Sequence, residues 1–251
     1  MIIYLGTNLL RLHPTLKPIK IIAMYSPLLI TAIIMIVVAL ILGLWAQLRV
    51  WSSYSKWSKV GSRSGMTGRD AAEYVMREAG IFDVKITAIQ GHLTDHYNPL
   101  TKELNLSAEN YYGKSLAAVG VAAHEAGHAI QHKAGYAMLK ARMALVPVTQ
   151  FASNMVIVIM VVGFFIGMIK PLAIFGAAVY AVLTVFQLIT LPVEFNASAR
   201  AKDRLAGLGI LARDEMEGVS DVLGAAAWTY VAAFLASLGW LLYFLAGARD
   251  D

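Results

Sequence analysis

The sequence predicts a mainly α membrane protein, with about four transmembrane helices and a small α+β domain at the membrane surface. Three observations predict it. Hydrophobic residues make up 58% of the 251-residue chain, charged residues only 15%, and mean hydropathy is +0.62. A soluble domain is nearer half apolar and a quarter charged. The apolar excess lies in four long runs, and between the first two runs lies a polar stretch of mixed periodicity.

Each run holds the roughly 20 apolar residues that a helix rising 1.5 Å per residue needs to cross the hydrocarbon. The first covers 26–46 and carries no charge. It is too long for a secretory signal, begins late and lacks a small-residue cleavage site. The second and third, about 144–169 and 171–193, form a hairpin (144–193) whose short connection carries Lys170. The fourth begins near Val222 and belongs to the C-terminal segment 222–251. Residues 1–25, with Arg11, Lys17 and Lys20, read as an N-terminal tail.

The polar stretch, 47–143, is the one region long enough for a soluble core. Its start mixes Trp51, Tyr54 and Trp57 with Arg49, Lys56, Lys59 and Arg63. That mixture suits an aromatic belt with cytoplasmic positive charge. Thr67 with Asp70 forms a capping box, so a helix follows to about Glu78 and stops at Gly80. Residues 82–89 alternate apolar and polar and predict a strand. Asn98-Pro99 marks a turn, and 102–106 predicts a second strand. Ser115 to about His132 predicts a long, mostly buried helix. The segment 194–221 is helical and basic, with Arg200, Lys202, Arg204 and Arg213. By the positive-inside rule it shares the cytoplasmic side with the polar domain. The localisation expected is a multi-pass protein of the cell membrane.

The chain has no cysteine, which excludes disulfides, thiolate metal sites and cysteine nucleophiles. Its net charge of +5 is explained by membrane topology and anionic headgroups, and no base-reading module is visible, so no nucleic-acid partner is expected.

The chemistry lies in His124-Glu125-Ala126-Gly127-His128. Residues four apart share a helix face, so both histidines can point at one ion. Glu125 is offset by about 100 degrees, beside the ion, where a general base acts on a water that the metal polarises. Two imidazoles without thiolates point to Zn²⁺, and the domain is then zincin-like. A catalytic zinc needs a third protein ligand and an open position. No histidine follows His132, so the candidates are Glu194, Asp203, Asp214, Glu215, Glu217 and Asp221. Glu194 stands out: it directly follows the third run and has no other acid within eight residues. Both ends of the hairpin return to one side, which brings Glu194 to the histidines. Ser198, four residues on, is placed to hydrogen-bond a ligand. His132 extends the histidine face but reads as a helix-end residue. His96 and Tyr97 are candidates for an oxyanion donor, although Asp95-His96-Tyr97 also reads as a turn.

The chain resembles the YugP-like family of bacterial membrane neutral zinc metallopeptidases. The resemblance runs from about Leu44 to Arg204. It rests on LWAQLRVWSSYSKWSKVGSRSGMTGRDAA, GHLTDHYNP, SLAAVGVAAHEAGHAIQHKAGY and LPVEFNASARA. It is more loosely similar to the HtpX-like and CAAX prenyl protease metallopeptidases. There a membrane hairpin separates the metal helix from a glutamate ligand in an E-x-x-A-D-like string. Here that string is Glu194-Phe195-Asn196-Ala197-Ser198, with Ser198 in place of the acid. The resemblance implies metal ligation by His124, His128 and Glu194. It also implies substrate binding along an edge strand before the metal helix, for which 102–107 (KELNLS) is the candidate.

The function expected is a gluzincin-like endopeptidase acting on polypeptides of the membrane or its surface, with Glu125 as base and the bilayer as surroundings. Protein partners are unidentified. The alternative is a non-catalytic, zinc-stabilised membrane scaffold, against which Glu125 argues, because a structural site needs no base. An intramembrane protease would need a longer apolar run before His124. A transporter would need charge inside the spans.

Overall fold

The computed structural model describes residues 26–166 and 169–249. The N-terminal tail lies outside the described residues. Seven helices and three strands follow one another among those described.

Helix α1 (Pro27–Trp57) starts where the Ser26 side chain accepts from the Leu29 N–H and Pro27 occupies the first turn. Both are favourable helix starts. Ile33, Ile34, Val37, Leu40, Ile41 and Leu44 are exposed on it, a surface suited to lipid. The helix continues well past residue 46. Its last turns do more than form an aromatic belt. Ser53 Oγ and Trp57 Nε1 donate to Asp221 Oδ2 at 2.8 and 2.9 Å, and Arg49 pairs with the same carboxylate. These three residues sit four apart, on one helix face.

Helix α2 (Gly68–Glu78) has its capping box in both directions: Thr67 Oγ1 accepts from Asp70 N–H, and the Asp70 carboxylate accepts from Thr67 N–H. It ends at Gly80, where φ is +69°. Strands β1 (Lys85–Ile89), β2 (His96–Asn98) and β3 (Glu103–Ser107) make a sheet of order β1-β3-β2. β1 runs parallel to β3, with Ile86 opposite Leu104, and β2 runs antiparallel to it, with Tyr97 opposite Leu104. Two expectations are corrected here. Residues 96–98 are a strand, not part of a turn. Pairing with β2 also makes KELNLS the central strand, so it is not an edge.

After the short α3 (Ala108–Tyr112), helix α4 (Leu116–Lys133) begins at Ser115, whose side chain accepts from Ala118 N–H. Almost every face of α4 is buried. Helices α5 (Ala137–Ile166), α6 (Ile169–Gly207) and α7 (Met216–Arg249) complete the chain. Together with α1 they are the four described helices long and apolar enough to cross a membrane. α6 runs unbroken through Pro192, so Glu194 lies within a helix and not at a helix start. Residues 194–221 comprise the end of α6, a turn and the start of α7.

The core around α4 is shared. Ala72 and Val75 of α2, Leu104 and Leu106 of β3 and Val119, Ala122 and Ala126 of α4 pack with Ala201 and Leu205 of α6 and Val219 of α7. Burial on this scale contributes about 25 cal/mol per Å² of apolar surface. It locks the polar domain onto the helices that carry the hairpin.

Candidate metal centre

His124 and His128 lie on the face of α4 turned toward α6. Their rings meet edge to face, with centroids 4.8 Å apart. Glu194 Oε2 lies 3.2 Å from His124 Nε2 and 3.5 Å from His128 Nε2. The three side chains are the His/Cys/Asp/Glu group that can hold a metal among the described residues. One ligand atom from each lies within 4.8 Å of the others. Two imidazole nitrogens and a carboxylate oxygen, with no thiolate, fit zinc.

α6 can come this close because position 127 is glycine. A Cβ there would stand 2.6 Å from the Ala197 carbonyl oxygen. The second variable position of the H-E-x-x-H motif is therefore set by the neighbouring helix.

Each ligand candidate is held from behind. Gln131 Nε2 donates to the Val193 carbonyl at 2.7 Å and to Asn196 Oδ1 at 3.0 Å. Its Oε1 must then accept, and His128 Nδ1 donates to it at 3.0 Å. That fixes the Nδ1–H tautomer and leaves Nε2 facing Glu194. Ser198 Oγ lies 3.1 Å from His124 Nδ1 and plays the matching part. Arg142 Nη1 donates to Glu194 Oε1 at 2.7 Å, so one carboxylate oxygen meets the guanidinium and the other meets the histidines. Glu194 is only 3% exposed, where an unpaired carboxylate would be costly. Burial pulls the His128 pKa down, but the hydrogen bond to Glu194 and the charges of Glu125 and Glu194 outweigh it, and the net shift is upward.

Glu125 is buried, and it lines two clefts. One opens between α1, α4, α6 and α7, and the other between β2, α4, α5 and α6. Asp95, His124, Glu125, Glu194 and Tyr230 border both.

The remaining candidates are placed elsewhere. Asp214 pairs with Arg63. Glu215 accepts from the Arg63 and Ala212 backbone N–H groups. Asp221 ties α1 to α7. Asp203 and Glu217 are not in the cluster. His132 lies on a different pocket, where its Nδ1 bonds the Tyr97 hydroxyl at 2.9 Å. Burial, then the charge of Asp83, pushes the Tyr97 phenol up to about 12. His96 bonds the Thr94 carbonyl through Nδ1 and Asn105 through Nε2. Asp95 accepts from Ser107 and Asn110. Neither oxyanion candidate is thus free of local partners, although both residues border the second cleft. Gln131, Arg142 and Tyr230 were not expected. Gln131 sits one helical turn beyond His128, a spacing that could have found it. Arg142 and Tyr230 carried no local signal.

Fold and site describe a membrane-associated protein with a buried two-histidine, one-carboxylate cluster. The model of the family described as "putative neutral zinc metallopeptidase" matches residues 32–249, and the chain belongs to that family. It is 43% identical over 213 residues to the "putative membrane protease YugP" of Bacillus subtilis (strain 168). That match covers 85% of this chain and 94% of the relative. No solved structure matches the chain.

Proposed function

We propose that the chain is a membrane-embedded, zinc-dependent endopeptidase that cleaves membrane or membrane-proximal polypeptides. In this reading His124, His128 and Glu194 hold the metal and Glu125 is the general base. The observation that carries it is the convergence of both Nε2 atoms and Glu194 Oε2 beside Glu125, where the two clefts meet. When bound, zinc supplies a Lewis acid for the peptide carbonyl and makes a water easier to deprotonate. Glu125 takes the proton of the attacking water and passes it to the departing amine. Gln131 and Ser198 keep the imidazoles oriented. Arg142 neutralises the glutamate oxygen that faces away from the histidines. The four apolar helices support a location in the cell membrane, and the basic segments favour the cytoplasmic side for this chemistry.

The test is Glu125→Gln in the detergent-solubilised full chain, assayed for zinc content and peptide cleavage. The expected variant keeps one zinc and loses cleavage by about a thousandfold or more. Undiminished cleavage would remove Glu125 from the mechanism.

A further inference from the structure

The two clefts beside Glu125 differ in charge. The second has Arg142 and His96 on its walls, beside Leu139, Met143, Val146 and Phe186. The first, with a volume of about 310 Å³, is walled by Val50 of α1, Val121 of α4, Val222, Ala226 and Ala227 of α7, and Leu93 from the loop between β1 and β2. Leu93 has φ +54°. Non-glycine residues other than Asn and Asp rarely occupy that left-handed region. Asparagine or glycine would hold the same backbone at lower cost. Such a costly conformation persists where the surroundings demand it, and here the isobutyl group packs against Tyr54, Ala117 and Val222 at the cleft. Ala226 and Ala227 contribute only small side chains to the walls of the same cleft. His124, Glu125 and Ser198 border the same cleft.

We infer that this cleft is the specificity subsite of the proposed peptidase, receiving a large apolar side chain next to the scissile bond, with Leu93 as one wall. The inference rests on the proposed hydrolytic reading and adds the substrate class. Apolar walls gain by covering an apolar side chain, and the cleft lies where α1 ends and α7 begins. Segments just leaving the bilayer carry such side chains.

The test uses the zinc-loaded full chain in detergent and a peptide series differing in one residue, Gly, Ala, Leu or Phe, placed in turn on either side of the cleaved bond. The wild type is expected to prefer Leu or Phe over Ala by about tenfold or more at one of these positions, the range typical of apolar pockets. Leu93→Asn keeps the left-handed backbone but removes the apolar wall. It is expected to erase most of that preference without lowering the thermal midpoint. Ala226→Phe fills the space and is expected to turn the preference toward Gly and Ala. A preference unchanged in both variants, or rate losses equal across the series, would overturn the subsite. A wild type that cleaves without side-chain preference would overturn it too, while leaving the peptidase reading in place. A wild type that cleaves none of the series would overturn both.

Discussion

The two halves of the candidate metal cluster are held in different ways. His124 and His128 come from one short stretch of α4, whose helix is surrounded by α2, β3, α6 and α7. Their spacing is guaranteed by helical geometry wherever the helix forms. Glu194 lies 70 residues from His124, within α6, the second helix of the hairpin. Its position depends on how closely α6 approaches α4, and on Arg142, Gln131 and Ser198. Secondary structure supplies the histidine half, whereas tertiary packing through apolar helices supplies the glutamate half. Disturbing the contact between α4 and α6 should therefore damage the site far more than disturbing the folding of the polar domain alone.

The largest effect is expected from Gly127→Val. Its side chain would collide with the Ala197 carbonyl, and overpacking of this kind costs about 1–3 kcal/mol, occasionally more. Thermal unfolding should show the lost stability, and zinc titration should show that the centre is lost with it. Next comes Arg142→Gln, which removes the cation from Glu194 Oε1. Zinc affinity should fall by about 10–100-fold, and Arg142→Lys should recover much of it. Gln131→Ala frees the His128 ring and removes the side-chain donor to the Val193 carbonyl. Its expected cost is about tenfold in zinc affinity. Thr67→Ala is the control for the other side of the comparison. It removes the α2 cap, costs about 1 kcal/mol of stability, and leaves zinc affinity unchanged.

Much of the histidine half was legible in the sequence. The spacing of His124 and His128, the Ser115 start of their helix and the Thr67–Asp70 capping box are local patterns, and local patterns survive in one dimension. Glu194 was legible for a different reason: it is an isolated acid after an apolar run, and a hairpin must bring it back to the starting side. β2 was hidden because three residues are too few to display alternation and Asn98-Pro99 signals a turn. The sheet order, which makes KELNLS central, depended on β2 and was hidden with it. The continuity of α6 was obscured by Pro192, which usually marks a break. Arg142 and Tyr230 sit in or beside apolar runs, and their neighbours in sequence say nothing of where the helices will cross. The partition of the core was also out of reach, because Leu205 and Val219 join Val119 only through tertiary packing.

The central claim is that the centre is assembled across the hairpin, and Glu194→Gln tests it most directly. The change keeps the size and hydrogen-bonding reach of the side chain while removing the charge. Zinc titration of the detergent-solubilised full chain should show the wild type binding one ion, and the variant binding it at least about a hundredfold more weakly with its helical circular dichroism intact. An unchanged zinc affinity would contradict the account and place the third ligand elsewhere.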